Sequence, residues 1–222
     1  MCCIIKEIEL PQRPFYHAIG NHCLAMDKKL LMAGLGMENS YYDFQADSWR
    51  FIVLDTSELG RHNTPGSWEF MEKEELCSSK PLEDFPEMES YNGGVSSKQV
   101  AWLRRCLEDA QEKGEKVVVC GHIPLLPESA CPAHCVWNFQ DLTQLLLSFS
   151  CFKAYFGGHF HRGGYTEKEG RHFVTFEAVL DSDNASACGV VEMGDEYITI
   201  TGFGDMKSHK LNVFEDHAKR QS

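Results

Sequence analysis

Residues 152–161 read Phe-Lys-Ala-Tyr-Phe-Gly-Gly-His-Phe-His. Phe152 to Phe156 is a short run rich in aromatic residues of the kind that favours a strand, and Gly157-Gly158 closes it and lets the backbone turn sharply. His159 and His161 then stand at alternate positions beyond an extended strand. That spacing turns both toward one region while Phe160 packs the other way. Two earlier runs end alike. Phe15 to Gly20 leads into Asn21-His22, and Lys116 to Cys120 leads into Gly121-His122-Ile123-Pro124. The carboxyl ends of sheet strands are where α/β folds place their ligands. Imidazole and amide oxygen at such tips suit manganese, zinc or iron.

Further strand-like runs are Tyr41 to Phe44, Arg50 to Asp55, His172 to Val179, Cys188 to Met193 and Tyr197 to Thr201, the last two joined by a hairpin turn at Gly194-Asp195. Between Ser97 and Lys113, Val100, Leu103, Leu107 and Ala110 recur at helical spacing. Ser96 with Gln99 makes a capping box there, and Gly114 stands at the C-terminal cap. Met26 to Leu35, Asp141 to Phe149 and Cys2 to Leu10 are weaker helical patterns. Helices interleaved with strands, then strands alone, predict an α/β domain with an antiparallel finish over 1–222. Ser57 to Tyr91, rich in Glu and without a clear period, reads as a long acidic loop, either solvated or a lid.

The 222 residues carry 21 Lys+Arg against 33 Asp+Glu, a formal charge of -12. Such a surface repels phosphate backbones and anionic headgroups, which argues against nucleic-acid and membrane partners. No apolar run approaches a bilayer span and nothing near Met1 resembles a signal segment, so a soluble, cytoplasmic protein is expected. The 10 cysteines are scattered irregularly, which predicts free thiols rather than a disulfide framework. Cys131 and Cys135 flank His134, but a structural zinc site draws on two such clusters and no second one exists. His17, His62, His209 and His217 read as surface or core histidines.

The ordered set Gly20-Asn21-His22, Gly121-His122 and Gly158-His159-Phe160-His161 resembles the second half of the calcineurin-like metallophosphoesterase signature. Phe15 to Cys23 (FYHAIGNHC), Trp49 to Thr56 (WRFIVLDT), Tyr91 to Val95 (YNGGV), Trp137-Asn138 and Gly158 to Tyr165 (GHFHRGGY) narrow the likeness to manganese-dependent ADP-ribose/CDP-alcohol diphosphatases. The resemblance implies a β-sandwich flanked by helices and a two-metal site holding manganese, with magnesium, zinc or iron as other occupants. By that likeness Asn21, His122 and His159 bind one ion and His161 the other. His22 serves catalysis at the phosphate, by stabilising developing charge or protonating the leaving oxygen. The substrate implied is a small nucleotide diphosphate, ADP-ribose or a CDP-alcohol (CDP-choline, CDP-ethanolamine, CDP-glycerol), and the chain is expected to act as a monomer.

The family signature opens upstream of its Gly-Asn-His motif with an Asp-x-His or Asp-x-Gln tip and a Gly-Asp tip whose aspartate bridges the metals. Only twenty residues precede Asn21, with no Asp among them. The chain therefore reads as a member incomplete at its amino terminus, for which a non-catalytic, weakly metal-binding product and a phosphodiesterase of other specificity are the alternative functions. Asp55 and Asp181 are the nearest candidates to replace the bridge. Trp137 and Phe139, after the Gly121-His122 tip, are candidates to stack on a base, set against simple core packing.

Overall fold

The unbroken apolar run along Lys116–Cys120 (KVVVC) supplies both faces of a strand. In a computed structural model, which describes residues 14–181 and 186–214, this segment is the central strand β3. Val117 and Val119 pack toward helices, whereas Val118 packs toward a second sheet. Around it lie β1 (Tyr42–Ala46), β2 (Trp49–Val53), β4 (Phe152–Gly157), β5 (Gly164–Lys168) and β6 (Arg171–Thr175) in the order β1-β2-β3-β4-β6-β5. The four inner strands are parallel, and β1 and β5 close the edges antiparallel. All parallel pairs run their carboxyl ends to one rim, and that rim carries the candidate site.

One face of this sheet is covered by α3 (Ser97–Glu112) and α4 (Phe139–Leu147). Leu103, Cys106, Leu107 and Ala110 from α3 and Leu142, Leu145 and Leu146 from α4 join Ile52, Phe152, Tyr155 and Phe173 in one buried cluster. The other face packs on a three-stranded antiparallel sheet of β7 (Ala187–Met193), β8 (Tyr197–Gly204) and β9 (His209–Asn212), with Trp49, Ala154, Phe156 and Val174 against Ile198, Ile200 and Leu211. The architecture is thus the expected two-sheet sandwich with helices outside. No helix among the described residues is long and apolar enough to cross a membrane. The described cysteines Cys23, Cys77, Cys106, Cys120, Cys131, Cys135, Cys151 and Cys188 are free thiols.

The two remaining helices are α1 (Lys28–Leu35) and α2 (Trp68–Ser79). The second corrects the reading of 57–91 as loop: Ser67 caps it by accepting from Phe70 N, and glutamates good at propagating helix fill it. None of its residues is fully buried, so no apolar period announces it. The run Phe15 to Gly20 is not a strand. It is irregular backbone without a ladder partner, fastened by Tyr42, whose hydroxyl accepts from His17 N and donates to His17 O. The strand expected over His172 to Val179 ends at Thr175, and the polar edge strands β5 and β9 carry too little apolar signal to be read. The capping box forms by half: Ser96 Oγ accepts from Gln99 N, but the Gln99 side chain turns sideways to donate to Glu58 and to the Asp55 carbonyl. Cys2 to Leu10 and His217 lie outside the described residues.

Candidate metal centre

Connections meet at the carboxyl rim, and two of them are zipped together by backbone. Gly121 N donates to Phe156 O at 3.0 Å, and Gly158 N donates to His122 O at 2.8 Å, so the tips after β3 and β4 rise side by side. Ile123 N donates to Thr56 Oγ1 at 3.0 Å, and the buried Tyr155 hydroxyl donates to Ile123 O at 2.6 Å. Gly121 is required by this closeness, because a Cβ there would stand 2.4 Å from the Tyr155 hydroxyl. Gly20 serves the same end on the third connection: its Cβ would meet the His122 ring at 2.9 Å.

The structure brings Asn21, His122 and His159 together. Asn21 opens a 3-10 turn over Asn21–Ala25, is buried, and places Oδ1 3.0 Å from His122 Nε2. The His122 and His159 rings are 5.1 Å apart, edge to face. His159 adopts φ 65°, a left-handed conformation that histidine accepts more readily than most side chains and that aims its ring back into the rim. Burial, then the charges of His22 and His161, push His122 down to about 4. Burial, then His122, His134, His161 and His22, push His159 down to about 3. Both rings are therefore neutral at physiological pH, the form in which imidazole ligates a cation. Two ring nitrogens and an amide oxygen fit one divalent ion of the manganese type.

The other half of the rim is built differently. His161 is partly exposed, and its Nδ1 lies 2.7 Å from Asp181 Oδ2. Phe160 does not turn away as the alternation predicted: its ring meets His134 edge-on, 5.2 Å between centroids. The segment 158–163 is a tight turn, not a continuation of the strand, which breaks the two-residue period. His22 is exposed beside these rings and acts on His122 and His159 through its charge. Among the described residues no three His, Cys, Asp or Glu side chains gather around one point, so the convergence depends on the Asn21 amide as third donor.

Asp55 is a poor replacement for a bridging carboxylate. It is fully buried, salt-bridged to Lys28, and accepts from Ser57 N, which spends its oxygens away from the histidines. Asp181, the other candidate, does reach the centre through His161. Trp137 belongs to the core: it packs with Leu59 and Met88, and its indole N–H donates to Glu89 O at 3.2 Å. Phe139 packs on the main cluster.

Three further side chains border the centre; two of them, Tyr91 and Asn92, stand in the YNGGV stretch, but the sequence marks none of the three with a role. His134 lies 5.4 Å from the His159 ring and 5.2 Å from Tyr91, with its Nδ1 3.0 Å from Cys131 Sγ. This thiol-imidazole contact is what becomes of the pair Cys131 and Cys135, since Cys135 Sγ turns to the Cys131 carbonyl. Asn92 Oδ1 stands 2.7 Å from His159 Nε2, and Tyr91 O accepts from Asn21 Nδ2 at 3.1 Å. The signal for Tyr91 and Asn92 was the glycine pair that follows them. At Gly93 a Cβ would strike Thr56 O at 2.7 Å, a close approach that fixes this loop on the rim.

A sandwich whose strand tips converge on neutral histidines and an amide defines a metallophosphoesterase-type hydrolase. The sequence profile of the calcineurin-like phosphoesterase family matches residues 2–163, and the chain belongs to that family. More particularly, it is 31% identical over 92% of its length to a manganese-dependent ADP-ribose/CDP-alcohol diphosphatase of Arabidopsis thaliana, of which it covers 72%. It is also 31% identical to the enzyme of the same name from Oryza sativa subsp. japonica, over 94% of this chain and 71% of that one. Its fold is similar to the crystal structure of a dimetal phosphatase from Danio rerio, with a TM-score of 0.79 at 22% identity, covering 90% of this chain and 72% of that one.

Proposed function

We propose that this chain, as a single domain, hydrolyses the diphosphate bond of ADP-ribose and CDP-alcohols at a manganese-dependent centre. In this reading Asn21, His122 and His159 hold one ion, His161 faces the other, and His22 attends the phosphate. The observation that carries the reading is the convergence of Asn21, His122 and His159 in a chain 31% identical to enzymes named for that reaction. Bound divalent cations supply charge stabilisation at the phosphoryl oxygens and make water nucleophilic at neutral pH. The protein's own part is positional. The buried rings of His122 and His159 stay neutral and need not shed protons at physiological pH before ligating. His22, exposed next to them, is free to donate a proton to the departing oxygen or to stabilise charge developing on the phosphate. The His134 ring, with Tyr91 and Phe160 around it, forms an aromatic wall beside His159.

The test is AMP release from ADP-ribose, and CMP release from CDP-choline, at saturating manganese, with a small phosphodiester as the third substrate. Turnover of the two diphosphates that His122→Ala abolishes is the expected result. A preference for the diester would overturn the substrate assignment, and equal rates in the variant would overturn the site.

A further inference from the structure

Asn92 lies immediately behind the buried half of the centre and is 3% exposed. Its Nδ2 donates to Glu87 O at 2.9 Å and to Ala133 O at 2.8 Å. Both acceptors are backbone carbonyls, which cannot donate, so both amide hydrogens are spent and the amide has one permitted orientation. Oδ1 must then be the atom facing His159 Nε2 at 2.7 Å. An amide oxygen only accepts, so the hydrogen of that bond belongs to Nε2, and the lone pair of the neutral ring is left on Nδ1. The preceding residue does the same for the partner ligand. Tyr91 O takes a hydrogen from Asn21 Nδ2 at 3.1 Å, which turns Asn21 Oδ1 toward His122 Nε2. Two adjacent residues thus orient donors from two different connections, one by side chain and one by backbone.

Resting on the manganese reading above, we propose that Asn92 is a positioning residue that fixes His159 as its Nε2–H tautomer, so that Nδ1 is the atom offered to metal. Tyr91 and Asn92 together form a template that presets the Asn21 and His159 donors before any ion arrives. A hydrogen-bonded outer partner of this sort sets ring orientation and raises ligand basicity.

The direct test needs no variant in the measured state: a long-range proton–nitrogen NMR spectrum of the metal-free full chain, with His159→Gln used only to assign the cross-peaks. The expected pattern is a protonated Nε2 and a bare Nδ1, and a protonated Nδ1 overturns the proposal. Calorimetric titration with manganese provides the second test. Asn92→Ala, folded by circular dichroism, is expected to bind roughly 10–100-fold more weakly than the unaltered chain, the usual consequence of losing an outer-shell partner. Unchanged affinity in Asn92→Ala overturns the proposal. If Asn92→Ala does not fold, the tautomer decides the matter. Absence of manganese binding by the unaltered chain, with the Nε2–H tautomer present, would defeat the functional reading and leave the tautomer assignment standing.

Discussion

The two halves of the rim are unequal. Around Asn21, His122 and His159 each donor has its orientation set by a partner already in place: Tyr91 O for Asn21, the Asn21 amide for His122, and Asn92 for His159. Burial keeps both rings neutral. Around His161 there is one partly exposed ring and one exposed carboxylate, Asp181. The first half is prepaid in conformational terms and the second is not. A group held in place beforehand binds without a further ordering cost, so an ion should find the first half much more readily. Asp55, locked to Lys28, adds nothing to the His161 side.

The largest way to break the comparison is to delete a donor from each half. His122→Ala should reduce AMP release by at least ~10³-fold, since removal of a group acting only through the centre costs catalysis on the scale of several kcal/mol. His161→Ala should also lose most turnover while leaving tight manganese binding to the first half nearly intact; calorimetry alongside the assay separates the two. Next in size is Gly20→Ala. The new Cβ would stand 2.9 Å from the His122 ring and must displace it. About 10-fold weaker manganese binding is expected, by analogy with the loss of ligand orientation. Asp181→Asn should do less than that to affinity at the first half, and its effect should appear in turnover at limiting manganese, where the His161 side is filled last.

Acid provides a gentler probe. Folded His122 and His159 titrate near 4 and 3, below the ordinary imidazole value of 6.5. Below pH 6.5 the unfolded chain binds protons that the folded chain refuses, so the stabilisation is complete above that pH and is lost as pH falls toward 4 and below. Metal-free protein should therefore melt at a lower temperature at pH 5 than at pH 7.5. His122→Gln, which removes one refusing ring, should show a shallower fall. A melting temperature that rises on acidification would contradict the burial of these rings.

How much of this was legible in the sequence follows from what each feature depends on. The tips at Gly121-His122 and Gly158-His159 were readable because glycine punctuation after an apolar run is local chemistry, and the unbroken run Val117 to Val119 shows that both faces of its strand are covered. The helix Trp68–Ser79 was not readable, because a helix that buries no residue fully has no stripe to display, and only Ser67 and the glutamates hint at it. Phe15 to Gly20 has strand composition but no strand neighbour, and pairing is a non-local property that composition cannot guarantee. Of the candidate site, Asn21, His122 and His159 stood in legible motifs. Their holders were not, since Asn92 and His159 are 67 residues apart and Asn21 and Tyr91 are 70 apart. The Phe160 ring against His134 is similarly a product of the tight turn rather than of the spacing.

The unequal halves are tested most directly by a manganese titration followed by electron paramagnetic resonance on the unaltered chain, His122→Ala and His161→Ala. The account predicts one tight ion in the unaltered chain, retained in His161→Ala and lost in His122→Ala. A tight ion that survives His122→Ala and disappears in His161→Ala would contradict it.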